Sequence, residues 1–140
     1  MNESGITRIL RDHLGRVPGL VTLKISDRFT NAIPDLALIG WGRTIWLELK
    51  YVHSGREEAC VYINKSKTQL ELACDIQEAG GSILYLVWLA GIYSRGKEVL
   101  EVWRPRALRA YIRGDHEQKP AATMQGRDFD RLVDFLKELG

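Results

Sequence analysis

The stretch NAIPDLALIGWGRTIWLELKY, residues Asn31–Tyr51, constrains the fold more than any other part of the chain. It contains two apolar runs joined by Gly-Trp-Gly, and this pattern predicts two antiparallel β-strands, about Ile33–Ile39 and Thr44–Val52. A two-residue turn at Trp41-Gly42 and a four-residue loop from Gly40 to Arg43 predict the same register. In that register the facing pairs are Gly40 with Arg43, Ile39 with Thr44, Ala37 with Trp46, and Asp35 with Glu48.

Three charged residues, Asp35, Glu48 and Lys50, lie inside these strands, where charge is disfavoured. Facing residues have Cβ atoms about 4.5–5.5 Å apart, so Asp35 and Glu48 repel each other unless a cation lies between them. Two carboxylates and several waters are typical ligands of Mg²⁺. Lys50 shares a face with Glu48 and is suited to stabilise developing negative charge or to position an attacking water. The trio therefore indicates hydrolysis of a phosphodiester; the alternative is a structural ion-pair cluster.

Hydrophobic periodicity and turn residues predict the remaining elements. Gly80-Gly81 is expected to end the second helix, whose apolar face is predicted to contain Leu72, Ala73 and Ile76. The predicted elements are a helix Glu3–Leu14, a strand Leu20–Ser26, a short extra strand in ACVYI (59–63), a helix Ser66–Ala79, a buried strand in SILYLVWLA (82–90), a strand Lys97–Arg104, a helix Arg106–Arg113, a loop Gly114–Gly126, and a C-terminal helix marked by Phe129, Leu132, Val133 and Leu136. This order favours a single domain, residues 1–140, with a mixed sheet flanked by helices.

The composition narrows the function classes. Twenty basic and eighteen acidic residues give a net charge of +2, which says little about partners. Two cysteines without a CxxC pattern, and a start that lacks a secretory signal, favour a reduced, cytosolic protein. The apolar run Ile83–Tyr93 is much shorter than the roughly 20 residues that span a bilayer. The three dispersed histidines do not suggest zinc, and no glycine-rich loop has the pattern of a nucleotide-binding site.

Pro34-Asp35, followed after twelve residues by Glu48-Leu49-Lys50, resembles the signature of the PD-(D/E)XK nuclease superfamily. The resemblance covers about Glu3–Leu89 and is similar to small stand-alone VRR-NUC and Holliday-junction-resolvase-like members. It implies a restriction-endonuclease-like core (αβββαβ, about 3–93) with a C-terminal extension of a strand and helices (about 97–139). It also implies a Mg²⁺-dependent nuclease, with Mn²⁺ as a substitute, which acts on DNA, including branched or flapped DNA. An enzyme directed at RNA or at modified bases is an alternative. The resemblance further suggests a homodimer in DNA repair or recombination, in the cytoplasm of a bacterium or a phage-infected host.

The same resemblance assigns roles to individual residues. Asp35 and Glu48 would bind the metal, the backbone carbonyl of Leu49 would complete its shell, and Lys50 would assist catalysis. Glu3 would lie near the metal, although a glutamate favoured by the helix dipole explains it equally well. Gln69 would lie beside Lys50, with a capping box from Ser66 as the alternative.

Several further residues are candidates for contact with nucleic acid. The resemblance places a polar residue near Ser26, which shares a strand face with Lys24. Lys65 and Lys67 flank the start of the second predicted helix. Arg106, Arg109 and Arg113 share one helical face in the most basic part of the chain, although an ordinary charged face is an equal alternative. The alternative to an enzyme is a non-catalytic nucleic-acid-binding module on the same fold.

Overall fold

The computed structural model describes residues 2–25, 32–90 and 97–139. Its helices and strands are α1 (Glu3–Leu14), β1 (Val21–Lys24), β2 (Leu36–Gly40), β3 (Arg43–Val52), α2 (Arg56–Asn64), α3 (Lys67–Glu78), β4 (Ser82–Leu89), β5 (Val99–Trp103), α4 (Pro105–Ile112), β6 (Ala122–Gln125) and α5 (Phe129–Glu138). Within these ranges, no helix combines the length and the apolarity needed to cross a membrane.

The six strands form one mixed sheet in the order β1-β2-β3-β4-β5-β6. Only β3 and β4 are parallel among the pairs of this sheet, and helices α2 and α3 form the crossover that parallel strands require. The predicted fold class, a mixed central sheet flanked by helices with a C-terminal extension, is confirmed. The predicted αβββαβ order is present, with one additional helix between β3 and α3.

The hairpin β2–β3 has the predicted register. Gly40 faces Arg43, Ile39 faces Thr44, and Ala37 faces Trp46. The turn contains two residues with positive φ, Trp41 at 55° and Gly42 at 78°, as in the type I′ turns that match the twist of paired strands. The described pairing ends at Leu36, which faces Leu47, so Asp35 lies just before the strand rather than within the ladder.

Helices cover both faces of the sheet. Helices α1 and α5 pack on one face with Leu47 and Leu49 of β3, whereas α2, α3 and α4 pack on the other. Because successive strand residues point to opposite faces, Glu48 and Lys50 point toward the α2–α3 layer. Two charged groups therefore lie inside a mostly apolar interface.

Two predicted elements are wrong. The segment ACVYI belongs to α2, because its buried residues Ala59, Cys60 and Ile63 follow a helical period and leave Val61 and Tyr62 exposed. The predicted loop Gly114–Gly126 contains β6, whose pairing with β5 supplies partners that its weakly patterned sequence does not reveal.

Helix α1 has the predicted boundaries, and those of α3 and α4 agree with prediction to within one residue. Helix α3 ends with φ of 95° at Gly80, and the amide of Gly81 donates to the Ile76 carbonyl at 2.8 Å, as in a Schellman motif. Its buried face differs from the predicted one, since Leu70, Ala73 and Cys74 are buried while Leu72 and Ile76 are half-buried.

Candidate metal and phosphodiester site

The candidate site lies where β2 begins to pair with β3. The Asp35 carbonyl accepts a hydrogen bond from the Ile25 amide at 2.9 Å, so its backbone is held toward the β1 side. Its side chain points to the other neighbour, and Oδ2 accepts from the Leu49 amide at 2.9 Å. One carboxylate oxygen therefore replaces a backbone acceptor at the point where the regular ladder stops.

Glu48 is the buried member of the site, with 1% of its surface exposed. Its Oε1 has no hydrogen-bond partner in the described part of the chain, and Oε2 lies 3.8 Å from Lys50 Nζ. Burial, followed by contact with the Asp35 carboxylate, raises the pKa of Glu48 from 4.5 to about 10, while the positive charge of Lys50 opposes this shift. Without a further cation, simultaneous ionisation of the Asp35 and Glu48 carboxylates is therefore unfavourable.

Glu3 and Tyr62 close the site from the two helical layers. Glu3 Oε2 accepts from the Tyr62 hydroxyl at 2.9 Å and from the Tyr51 amide at 3.4 Å. Lys50 Nζ lies 5.0 Å from the centroid of the Tyr62 ring. Tyr62 was not predicted as a site residue. Its segment was interpreted as a strand, and that interpretation does not place Tyr62 on the helical face that contacts Glu3 and Lys50.

A divalent cation fits Asp35 and Glu48. The unpartnered Oε1 of Glu48 is available as a ligand, and a cation would offset both the burial and the repulsion from Asp35 that raise the pKa of this group. Among the described residues, no group of three or more His, Cys, Asp or Glu side chains is arranged to hold a metal. A metal here would thus depend on two carboxylates, with backbone oxygen or water as its other ligands.

The other predicted site residues lie at different distances from this centre. Lys24 is exposed at the end of β1 and lines a cleft together with Glu3 and Asp35. Gln69 is half-buried in the first turn of α3, and the Ser66 side chain makes no capping hydrogen bond, so the alternative capping box is not formed. Lys65 and Lys67 are exposed at the junction of α2 and α3. Ser26 lies outside the described residues.

The predicted arginine face is partly neutralised. Arg109 Nη1 and Arg113 Nη2 lie 2.7 and 2.9 Å from the two carboxylate oxygens of Glu71 on α3. Arg106 is exposed, and its backbone amide donates to Gln77 Oε1 at 2.9 Å. These pairs join α4 to α3 and give at least two of the arginines a structural partner.

A second basic group, Arg8 and Arg11 on α1, was missed by sequence reasoning. These residues line the same cleft as Lys24, Glu3 and Asp35. Arg8 and Arg11 are three residues apart, so they lie on one side of α1, and this spacing is the sequence signal that could have found them.

No protein-family model matches the chain, and no curated protein sequence matches it. A search of solved structures finds similarity to Hjc, a Holliday junction resolvase from the hyperthermophilic archaeon Archaeoglobus fulgidus. The two are 11% identical with a TM-score of 0.47, and the alignment covers 75% of this chain and 74% of that one.

Proposed function

We propose that the protein is a metal-dependent nuclease that hydrolyses phosphodiester bonds of DNA. The supporting observation is the buried Glu48 carboxylate, which has an unpartnered oxygen and lies against Asp35 and beside Lys50. A purely structural ion pair would be expected to satisfy both oxygens of so deeply buried a carboxylate.

In this proposal Asp35 and Glu48 hold Mg²⁺, or Mn²⁺ in its place. The bound ion would supply a water of lowered pKa and would neutralise charge on the scissile phosphate. The Leu49 amide fixes the orientation of Asp35 by donating to Oδ2. The backbone carbonyl of Leu49 is the proposed third protein ligand.

Lys50 is the proposed catalytic cation. Its ammonium group lies 3.8 Å from Glu48 Oε2 and is largely withdrawn from solvent, so its charge is weakly screened. From this position it would stabilise negative charge that develops on the phosphate oxygens. Gln69 remains a proposed helper of Lys50.

The proposed substrate is DNA with branches or flaps, since the motif resembles that of VRR-NUC and resolvase-like nucleases. We further propose that the protein acts as a homodimer in the cytoplasm of a bacterium or a phage-infected host.

The test is cleavage of linear, nicked, flapped and four-way DNA in Mg²⁺ and in excess EDTA. We expect cleavage only with the metal, and none by Asp35→Asn, which keeps an oxygen able to accept from the Leu49 amide. Glu138→Gln, a change at an exposed carboxylate on α5, serves as the control and should cleave normally. Binding without cleavage in both conditions would instead favour a non-catalytic nucleic-acid-binding module.

A further inference from the structure

One side of α1 lines a cleft beside the candidate site. The cleft has a volume of about 170 Å³. Its lining includes Glu3, Thr7, Arg8, Arg11, Lys24 and Asp35. The opposite side of the helix is buried in the core through Ile6, Leu10 and Leu14, so α1 presents its polar side chains in a fixed direction.

Within the part of the chain that the structure describes, the cations of this cleft form no ion pair. In residues 2–25, 32–90 and 97–139, no ion pair involves Arg8, Arg11 or Lys24, and the buried Nε of Arg11 has no hydrogen-bond partner. The arginines of α4 differ, since Arg109 and Arg113 share Glu71. Unpaired cations gathered in a concave surface attract an anionic ligand more effectively than cations that are already neutralised.

Two carboxylates connect the cleft to the site. Glu3 lines the cleft and also accepts from Tyr62, while Asp35 lines it and also accepts from the Leu49 amide. An anion held by Arg8, Arg11 and Lys24 would therefore lie next to Asp35, one of the two groups that are proposed to hold the metal.

We infer that this cleft binds a backbone phosphate of the DNA strand and so positions a neighbouring phosphate at Asp35 and Glu48. The inference rests on the proposed function for the identity of the ligand. It assigns the principal phosphate contacts to Arg8, Arg11 and Lys24 on the α1 side, rather than to the arginines of α4. Thr7 adds little, because its hydroxyl already donates to the Glu3 carbonyl at 2.7 Å.

The experiment measures binding of a fluorescent 20-base-pair duplex in EDTA, which requires neither metal nor cleavage. Three double variants each remove two positive charges: Arg8→Gln/Arg11→Gln, Arg8→Gln/Lys24→Gln and, as the matched control, Arg106→Gln/Arg113→Gln. Arg8 and Lys24 are both exposed, so their double variant tests the cleft without disturbing the half-buried Arg11. Urea midpoints confirm that each variant is folded.

Both cleft variants should weaken binding by about tenfold and lower the slope of log K against log salt by roughly 0.9 for each lost contact. The α4 control should change the affinity by less than about twofold. Equal losses in all three variants, or unchanged binding by the cleft variants, would overturn the inference. If the cleft variants lose binding but wild-type protein never cleaves DNA in Mg²⁺, the proposed function fails and the phosphate cleft stands. If the wild type cleaves DNA and the cleft variants bind it as tightly as the wild type, the proposed function stands and the phosphate cleft fails.

Discussion

Replacing Glu48 with Gln should stabilise the metal-free protein at alkaline pH. The substitution keeps the shape of the side chain and removes an ionisable group that is buried beside Asp35. Below pH 4.5 the folded and unfolded chains both hold the Glu48 proton, and between pH 4.5 and about 10 only the folded chain holds it. The free energy of unfolding of the wild type therefore falls as pH rises through this window, and the loss is complete above the raised pKa.

The magnitude follows from the linkage between proton binding and folding. Each pH unit across which only the folded state keeps the proton costs about 1.4 kcal/mol, so the change from pH 5 to pH 8 is at most about 4 kcal/mol. Relaxation of the site and entry of water reduce this figure, and we expect a loss of about 1 to 4 kcal/mol for the wild type relative to Glu48→Gln.

Urea denaturation in EDTA at pH 5, 6.5 and 8 measures this difference. Glu138→Gln, which removes an exposed carboxylate, is the matched control and should follow the wild type. Added Mg²⁺ should stabilise the wild type more at pH 8 than at pH 5, because the metal competes with the Glu48 proton. Parallel pH profiles for the wild type and Glu48→Gln would refute the argument that this carboxyl is held protonated by burial and Asp35.

Three other substitutions test separate parts of the structure. Lys50→Met should lower single-turnover cleavage by about 100-fold with DNA affinity unchanged, and near-normal cleavage would make Lys50 a structural counter-ion. Gly42→Ala should lower the free energy of unfolding by about 1 kcal/mol through backbone strain alone, since φ is 78° and a Cβ there meets nothing within 4 Å; an unchanged urea midpoint would contradict this. Arg56→Met leaves buried Glu101 without its ion-pair partner and should lower the free energy of unfolding by about 3 to 5 kcal/mol. Arg106→Met, at an exposed position, is the control and should change it little; equal urea midpoints for the two variants would contradict the prediction.

The sequence predicted those parts of the fold that depend on local pattern. The hairpin register follows from strand alternation and from a turn that can adopt positive φ, and both are visible in the order of residues. The position of Asp35 was only partly predictable. Register counting placed it opposite Glu48, but the structure ends the ladder at Leu36 and directs its carboxylate to the Leu49 amide.

Features that depend on tertiary contacts could not be predicted from the sequence. Val61 and Tyr62 have the side chains of a strand, yet packing of Ala59 and Ile63 against the sheet selects a helix. Arg109 and Arg113 pair with Glu71, which is far from them in sequence. The sequence alone could therefore not show whether the positive charges of that helical face are neutralised. That no described residue forms an ion pair with Arg8 or Arg11 depends on tertiary contacts in the same way.

The hydrogen bond from the Leu49 amide to Asp35 has a consequence for which ions the protein would accept. Because Oδ2 accepts from the Leu49 amide, the direction of the Asp35 carboxylate is fixed and Oδ1 is its freer oxygen, which favours monodentate over bidentate binding of a metal. Ca²⁺ takes six to eight oxygen ligands and often uses both oxygens of a carboxylate, whereas Mg²⁺ requires six in a strict octahedron. The hydrogen bond from the Leu49 amide would therefore favour Mg²⁺ over Ca²⁺. Because the donor is a backbone group, only proline among substitutions at position 49 would remove it.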